Sequence, residues 1–303
     1  MAISRGQLVK ELEPGLNALF GLEYKRYENQ HAEIYTTESS DRAFEEEVML
    51  SGFAQAQTKS EGAGVAFDNA QETYTARYTH ETVALAFSIT EEAIEDNLYD
   101  RLASRYTKAL ARSMANTKQV KAVAPLINGL PTNDAFDSGD GVSLFNTAHP
   151  TIAGTVKNTL TTQADLNETS LEQCLIDIAA MTDERGLKIA ARGVKMIVPS
   201  ELQFTAERLM KSQGRVGTAD NDINAIVSMG MVPQGYRVNN FLTDTDAYYI
   251  ITDVPNGMKY FERAAIKTAM EGDFDTGNVR YKARERYSFG VSDFRGIFGV
   301  EGA

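Results

Sequence analysis

The 303-residue chain is 43% hydrophobic and 24% charged, the composition of a folded soluble protein with room for one large domain or two ordinary ones. Its net charge of −12 argues against sequence-independent DNA binding, which needs clustered cations. No apolar run reaches the roughly 20 residues of a membrane span, the first residues lack the apolar core of a signal peptide, and the lone cysteine excludes an internal disulfide and fits a cytoplasmic origin.

The N-terminal part of the chain predicts an arm followed by a long hairpin. Apolar residues recur at helical spacing over residues 7–24, but Pro14 and Gly15 interrupt them, which predicts a broken helix or arm. From Val48 to Ile89, two alternating segments flank a polar, glycine-rich tip, and the alternation reverses near His80, which predicts a bulge there. Because this hairpin has too little apolar surface to be stable alone, we expect it to lie on another surface, such as a second subunit.

A long helix is predicted next. Ser88 and Glu91 have the spacing of a capping box, and an apolar stripe then follows the helical period, comprising Ile94, Leu98, Leu102, Tyr106, Leu110 and Met114. We expect the helix to end before Pro125, after roughly 34 residues or about 50 Å. That is long for a globular protein, whose average helix has about a dozen residues.

The rest of the chain predicts a mixed region and then long strands. The predicted elements are a polar loop at 128–163, a helix at 168–185, a buried strand at 194–198, a helix starting at Pro199 and Ser200, a flexible loop at 212–222, and strands at 236–242, 247–254, 259–271 and 278–299. Helices and strands do not alternate as a doubly wound sheet requires. The predicted fold class is therefore α+β, with an extended outline.

One segment contains the residue types of a hydrolase triad, namely Asp140, Ser143 and His149. Catalytic triads usually join side chains from separate rigid elements, and no nucleophile-elbow motif surrounds Ser143. We interpret the segment as a structural loop anchored by Leu144 and Phe145, in which His149 hydrogen-bonds locally. No catalytic residue is assigned, and the protein is predicted not to be an enzyme.

Metal and cofactor sites are not predicted either. A calcium site at Asp134, Asp137 and Asp140 is an open alternative, but their spacing is not that of an EF-hand. The three histidines are far apart and no Cys-x-x-Cys occurs, which argues against zinc. Cys174 is expected in the core rather than as a nucleophile.

Charge is unevenly distributed along the chain. Residues 1–50 hold ten acidic and five basic side chains, whereas residues 279–290 hold four basic ones against Glu285 alone. Alternate positions of a strand share a face, so one face is predicted to carry Arg280, Lys282, Arg284 and Arg286. Such a face can contact nucleic acid or an acidic protein surface, or can simply be solvated. The acidic N-terminal region favours a protein–protein contact.

Four stretches together resemble one protein family. They are EDNLYDRLASRYTKALARSMA, DGVSLFNTAHP, GVKMIVPSELQFTAERLMKS and YSFGVSDFRGIFG, and the likeness runs in order over nearly the whole chain. The chain resembles the major capsid proteins of tailed bacteriophages, which have the Hong Kong 97-type fold, and in particular the Mu-like major head subunit branch. No single motif is diagnostic, because these families share fold much more than sequence.

The resemblance implies a division of the chain into named parts. They are an N-arm (1–42), an E-loop (43–82), a peripheral domain with a long spine helix (83–155), an axial domain (156–258) and the closing strands of the peripheral domain (259–303). The E-loop would reach over a neighbouring subunit, and residues 212–222 would lie near the capsomer centre.

The resemblance also implies a function. Such a protein self-assembles into hexamers and pentamers of an icosahedral shell around double-stranded DNA, without sequence-specific binding. The expected partners are copies of the chain, a portal protein and a separate scaffolding protein, with a decoration protein as an optional addition and no membrane. The expected location is the virion, after assembly in the host cytoplasm. The alternative is an encapsulin-type nanocompartment shell that encloses protein cargo.

Subunit contacts are expected from two sets of residues, the hairpin residues Phe53, Lys59 and Phe67 and the basic row Arg280, Lys282, Arg284 and Arg286. Some members of the family join their subunits by lysine–asparagine isopeptide bonds. The E-loop region here holds only Lys59, and Asn278 is a guess for its partner, so we expect no crosslinking. An acidic balance suits a container, because repulsion keeps the enclosed DNA mobile.

Overall fold

The computed structural model describes residues 5–90, 92, 99–133, 135–214, 222–273 and 277–303. Its helices are α1 (Arg5–Arg26), α2 (Tyr99–Asn128), α3 (Glu168–Ala180), α4 (Gln203–Lys211) and the single turn α5 (Ala225–Ser228). Its strands are β1 (Thr36–Ser39), β2 (Phe44–Leu50), β3 (Glu72–Thr79), β4 (Glu81–Ile89), β5 (His149–Thr151), β6 (Gly154–Val156), β7 (Gly193–Val198), β8 (Tyr236–Val238), β9 (Tyr248–Thr252), β10 (Met258–Gly272), β11 (Val279–Val291) and β12 (Ile297–Val300). Short 3₁₀ segments lie at Gln30–Glu33 and Phe294–Gly296.

The strands of the described residues form two four-stranded sheets and two hairpin pairs. The first sheet has the order β1-β10-β11-β4 and the second has the order β12-β9-β7-β8. Strands β10 and β11 are antiparallel and form a ribbon about 40 Å long at roughly 3.3 Å per residue. The chain leaves β11 through a 3₁₀ segment and enters β12, so it passes directly from the first sheet to the second. The predicted α+β class is confirmed.

Helices α1 and α2 cover one face of the first sheet. Leu16 and Phe20 of α1 pack with Leu110 and Met114 of α2 and with Tyr281 of β11 in one buried cluster. A separate and larger core surrounds the second sheet, where α3 buries Leu171, Cys174, Leu175 and Ile178. The expected core position of Cys174 is confirmed.

Helix α1 does not break at Pro14 and Gly15, so the predicted interruption is wrong. A proline inside a helix removes one backbone donor and favours a kink, but it does not end a helix whose following turns are held by packing. Leu16 and Phe20, just after the proline, are both buried, and their contacts keep the helix continuous.

The predicted bulge near His80 is also wrong, because the chain changes sheets there. Strand β3 pairs with β2 up to Thr79, and β4 pairs with β11 from Glu81 onward. Buried His80 lies between them and hydrogen-bonds through its two ring nitrogens with Ser288 Oγ and Ser40 Oγ, both at 2.9 Å. A change of partner strand reverses the alternation of buried and exposed residues, as a bulge does.

The long helix exists, but its predicted bounds and buried face need correction. Ser88 lies in β4, so it caps no helix, and the positions of Glu91, Ile94 and Leu98 fall outside the described residues. Helix α2 continues through Pro125 to Asn128. Tyr106, predicted to be buried, is 49% exposed, and the buried surface runs instead over Ala103, Thr107, Leu110, Ala111 and Met114, because α1 and the sheet cover α2 from two sides.

Smaller corrections apply to the middle of the chain. Helix α3 ends at Ala180 rather than at residue 185, and α4 begins at Gln203 rather than at Pro199. The predicted polar loop at 128–163 contains the short antiparallel pair of β5 and β6. The predicted loop at 212–222 falls mostly outside the described residues.

Acid is expected to destabilise the subunit through His31. This residue is buried, its Nδ1 lies 3.0 Å from the amide nitrogen of Gln119, and burial together with the charge of Lys118 lowers its pKa from 6.5 to about 4. His31 binds a proton more readily in the unfolded chain than in the folded one. The contribution of neutral His31 to the free energy of unfolding is therefore complete above pH 6.5 and is lost as the pH falls toward 4. The loss is about 3 kcal/mol, since one pKa unit corresponds to about 1.4 kcal/mol.

Urea unfolding of unassembled subunits at pH 7 and pH 4 measures this effect. We expect His31→Asn, whose amide oxygen can still accept from Gln119, to lose about 3 kcal/mol less stability than the wild type over that interval. The raised pKa of Glu285 has the opposite effect, because acid then stabilises the folded state. Glu285 is present in both proteins, so the difference between their losses of stability reports on His31. Parallel pH dependences in the two proteins would contradict the assignment.

Candidate functional site

The outer face of the β10–β11 ribbon is strongly basic. Strand β11 alternates between residues buried under α1 and α2 and residues that face outward. The outward residues are Arg280, Lys282 and Arg284, which are exposed, and Arg286, which is half-buried. Exposed Lys267 of β10 lies directly across from Arg284 in the strand register. These five cations are called the basic face below.

The basic face has few acidic partners in its own chain. Arg280 forms an ion pair with Asp273. Within the described ranges, no acidic side chain forms an ion pair with Lys267, Lys282 or Arg284. Like charges directly opposite on neighbouring strands are unfavourable, so the subunit alone carries uncompensated repulsion here. Exposed Glu271 of β10 lies directly across from Arg280. The cross-strand neighbours of Lys282 and Arg284 on β4 are small, namely Ala86 and Ala84, which leaves these two cationic groups accessible.

Glu285 is the single acidic residue of β11. It does not neutralise the basic face, because its side chain points inward. Its carboxylate lies 2.6 Å from Lys118 Nζ and accepts a hydrogen bond from the Tyr24 hydroxyl at 3.2 Å. The Lys118 ammonium also lies 5.2–5.8 Å from the ring centres of three tyrosines, Tyr24, Tyr260 and Tyr287. Burial raises the pKa of Glu285, and Lys118 opposes this rise. The sequence indicated Glu285 as the one acid among these cations, but it did not indicate its partner Lys118.

The base of the hairpin formed by β2 and β3 packs on its own chain. The Tyr78 ring meets Phe261 of β10 edge to face, with ring centres 4.8 Å apart, and Ala76 is buried in the same cluster. The Tyr78 ring also lies where a Cβ on Gly290 would sit, so residue 290 must lack a side chain. The base therefore finds its support within the subunit.

The hairpin tip, residues 52–71, is exposed instead. Phe53 is 61% exposed, Phe67 is 93% exposed, and Lys59 also faces solvent. A hydrogen bond from Arg185 Nη2 to the Asn69 carbonyl (2.6 Å) ties the loop to the body of the subunit. Exposed aromatic rings are unfavourable in water and are typical of contact surfaces. Whether the predicted residues Phe53, Lys59 and Phe67 contact another subunit stays a prediction.

The triad-like residues do not form a triad. His149 is fully buried; its Nδ1 lies 2.6 Å from Asp140 Oδ2 and its Nε2 lies 3.0 Å from Asn158 Oδ1. Ser143 Oγ instead donates to the Phe145 carbonyl and accepts from Asn146 Nδ2, both at 3.4 Å. Both ring nitrogens of His149 are therefore occupied by other partners, and the ring cannot act as the base for Ser143 in this arrangement.

Ser143→Ala is expected to be nearly silent. The hydrogen bonds of Ser143 are long, so their loss changes the free energy of unfolding by less than about 1 kcal/mol. Thermal unfolding and an ester-hydrolysis assay of both proteins check this. A measurable hydrolysis that disappears in the folded variant would show that the structural interpretation of this loop is wrong.

Asn158, which no sequence pattern indicated, is the centre of the hydrogen bonds in this loop. Its Nδ2 donates to the carbonyls of Leu144 (2.7 Å) and Phe294 (3.1 Å), while its Oδ1 accepts from the backbone of Asn146 at 3.0 Å. Asn158 is completely buried and joins the 138–150 loop to the 3₁₀ segment before β12. An asparagine in a polar stretch gives no periodic signal, so sequence alone could not single it out.

The open alternative of a calcium site has limited support. Asp137 Oδ1 accepts hydrogen bonds from the backbone of Gly139 and Gly141, while Asp134 lies outside the described residues. Over the part of the chain that the structure describes, no group of three or more His, Cys, Asp or Glu side chains is placed to hold a metal ion. The described helices also include none that is long and apolar enough to cross a membrane.

A second charged surface, of opposite sign, surrounds the end of β12. It consists of Asp165, Asp244, Asp246 and Glu301, called the acidic cluster below. The backbone of Ala303 donates to Asp165 Oδ1 at 3.0 Å. A hydrogen bond with Asp244 and burial raise the pKa of Asp246, and burial and Asp244 likewise raise that of Glu301. Within the described ranges, no cation forms an ion pair with these four carboxylates. Their donors there are neutral groups, such as the Thr132 backbone for Glu301 and the Ala247 backbone for Asp244, so no opposite charge balances them.

Comparison with known proteins gives a family and a fold. A family model described as phage capsid protein matches residues 73–300. No curated protein sequence matches the chain. Similar solved structures include a virus-like particle from Pyrococcus furiosus (9% identity, TM-score 0.52, covering 94% of this chain and 98% of that one), the capsid of Myoviridae phage XM1 (10%, 0.54, 89% and 89%) and the capsid of cyanophage P-SCSP1u (12%, 0.56, 89% and 86%).

These identities are low, so the structural likenesses establish the fold. The Hong Kong 97-type capsid fold expected from the resemblance is confirmed, while the Mu-like branch stays a prediction. The family model spans most of the chain, from β3 to the end of β12. The chain therefore belongs to the phage capsid protein family, whose members are structural, shell-forming proteins of the virion.

Proposed function

We propose that this capsid protein is the major head subunit, which forms the hexamers and pentamers of an icosahedral shell enclosing double-stranded phage DNA. The observation that supports it most directly is the exposed hairpin tip, where the side chains of Phe53 and Phe67 are 61% and 93% exposed. A contact with a neighbouring copy buries such rings and favours association. The protein then acts through contacts between copies rather than through a catalytic step.

We propose for this chain the division that the resemblance implies, although its boundaries after residues 82, 155 and 258 fall within β4, β6 and β10. The N-arm (1–42) contains α1 and β1, the E-loop (43–82) contains β2, the tip and β3, and the peripheral domain (83–155) contains α2 as its spine helix. The axial domain (156–258) contains most of the second sheet. The closing segment (259–303) supplies β11 to the first sheet and β12 to the second, so it joins the two domains.

The proposed partners follow from the same role. A portal protein and a separate scaffolding protein assist assembly in the host cytoplasm, and a decoration protein is an optional addition. The net charge of −12 repels the DNA phosphates. We therefore propose that the shell encloses DNA without binding any particular sequence.

Electron microscopy and sedimentation of the purified protein test this proposal. We expect closed particles built from rings of five and six subunits, and particles from infected cells should hold DNA protected from nuclease. The hairpin tip should be cleaved by proteases in free subunits and protected in particles. A protein that stays monomeric under all assembly conditions would overturn the proposal.

The second candidate is a nanocompartment shell that encloses protein cargo. The likeness to the virus-like particle from Pyrococcus furiosus, which covers nearly all of both chains, supports a shell in this case too. The contents of native particles distinguish the two candidates. Nuclease-protected DNA supports the viral head, whereas a second protein retained inside DNA-free particles supports the compartment.

Particles are expected to be held together without covalent bonds between subunits. Lys59 is exposed in the hairpin tip, but Asn278, the guessed partner, lies beside the far end of the β10–β11 ribbon, where its carbonyl accepts from the Asp273 backbone at 2.8 Å. Boiling particles in detergent should give one band at 33.3 kDa on a gel. A ladder of larger species would show that crosslinking occurs.

A further inference from the structure

The basic face and the acidic cluster lie at different ends of the subunit. Arg280 and Lys282 are close to the far end of the β10–β11 ribbon, where Val279 pairs with Gly272. The acidic cluster surrounds the end of β12 in the second sheet, which the chain reaches only after the opposite end of the ribbon. Glu301 of the acidic cluster accepts a hydrogen bond from the Thr132 backbone, just beyond the C-terminal end of α2. The two surfaces are therefore far apart in the subunit.

These two surfaces cannot neutralise each other within one subunit. Lys282 is nine residues from Val291 along β11, which is about 30 Å of extended strand, and the acidic cluster lies beyond that point. Interactions between exposed charges are largely screened beyond about 8 Å at physiological salt. Each surface therefore keeps its own uncompensated repulsion in the free subunit.

We propose that the basic face of one copy binds the acidic cluster of the next copy, so that neighbouring subunits associate head to tail. This inference rests on the proposed assembly and names two surfaces that meet in it. The two surfaces differ, so the contact is heterologous, and a heterologous contact closes into a ring when its rotation permits. Complementary charge sets the orientation of neighbouring subunits in such a ring.

A second copy fits both surfaces better than DNA does. Lys267, Lys282 and Arg284, which form no ion pair within the described part of the subunit, would face four carboxylates, and a single repeated contact relieves the repulsion within each surface. DNA phosphates would neutralise the basic face alone and would leave Asp165, Asp244, Asp246 and Glu301 unpaired. The observation of two complementary surfaces therefore favours a contact between copies.

Two charge-reversal variants test the contact in the full-length protein. The first is Lys282→Glu/Arg284→Glu, and the second is Asp165→Lys/Asp244→Lys. In either variant alone, like charges face each other across the contact, so we expect the protein concentration needed for assembly to rise at least tenfold. An equal mixture of the two should restore six-membered rings near the wild-type concentration, because each altered surface then meets its altered complement in alternating subunits. A five-membered ring cannot alternate, so the mixture is scored by the formation of six-membered rings rather than closed shells.

Controls separate this contact from a general effect of charge. Lys108→Glu/Arg112→Glu changes the net charge as the first variant does, but on helix α2, and it should assemble like the wild type. Thermal unfolding verifies that each variant is folded. If the Asp244 change unfolds the protein, the single variants Lys282→Glu and Asp165→Lys provide the same mixing test.

The outcomes are distinct. Wild-type protein that never assembles contradicts the proposed function itself. Wild-type assembly together with unaffected reversal variants, or with defective variants that the mixture does not rescue, overturns only the head-to-tail contact. A first variant that assembles normally but retains less DNA shows that the basic face binds DNA instead, and it also overturns the contact.

A disulfide trap gives a second measurement. Lys282→Cys and Asp165→Cys, placed in separate copies and mixed, should form a dimer between them on mild oxidation of assembled particles. The native Cys174 does not compete, because it is buried and burial raises the pKa of its thiol to about 12. Absence of this dimer in intact particles contradicts the contact.

Discussion

Replacing Phe53 and Phe67 with serine is expected to prevent shell assembly at concentrations where the wild type assembles, while the subunit stays folded. The two rings are 61% and 93% exposed, so their loss removes no core packing. In an interface, each buried aromatic anchor contributes about 2 kcal/mol or more. Losing two anchors at every contact should raise the assembly concentration about a thousandfold, since about 1.4 kcal/mol corresponds to a factor of ten.

Light scattering during assembly and thermal unfolding of the subunits measure the two parts of this prediction. Ile176→Ser is a matched control, because Ile176 of α3 is 61% exposed and lies outside the hairpin. The control should assemble like the wild type, and unfolding temperatures should agree among all three proteins. Normal assembly of Phe53→Ser/Phe67→Ser would show that the hairpin tip makes no important contact.

The long amphipathic patterns of the sequence predicted the elements of the fold well. The alternation along β10 and β11 and the spacing of Leu110 and Met114 in α2 depend on burial of one face, and periodicity reports burial directly. The errors at Pro14 and His80 have a common cause. A local pattern indicates which side of an element is buried. It does not indicate whether tertiary contacts keep a helix continuous past a proline, as at Pro14, or whether a strand changes its pairing partner, as the chain does at His80.

The surfaces could be predicted only in part. Four of the five residues of the basic face could be predicted because they occupy alternate positions of one strand, whereas Lys267 joins them only through the pairing of β10 with β11. The acidic cluster was not, because Asp165, Asp244 and Glu301 come from distant parts of the chain and meet only in the folded subunit. The hydrogen-bonding centre at Asn158 was hidden for the same reason, since its partners are backbone groups of Leu144 and Phe294.

The buried pair of Lys118 and Glu285 should make the largest single contribution of any side-chain contact between α2 and β11. Glu285→Leu leaves the Lys118 ammonium among tyrosine rings without its carboxylate at 2.6 Å. Removing one member of a buried ion pair typically destabilises a protein by 3–5 kcal/mol, because the remaining charge is desolvated and unpaired. We expect a loss of about 4 kcal/mol in urea unfolding of unassembled subunits.

The double variant Lys118→Met/Glu285→Leu tests whether the unpaired charge causes that loss. Apolar replacement of a whole buried ion pair is often neutral or stabilising, so the double variant should recover most of the wild-type stability. Lys121→Met is the control, because Lys121 of the same helix pairs with Glu81 at the surface, where an ion pair contributes at most about 1 kcal/mol. A double variant as unstable as Glu285→Leu would show instead that packing of the leucine, rather than the charge of Lys118, limits the stability of this region.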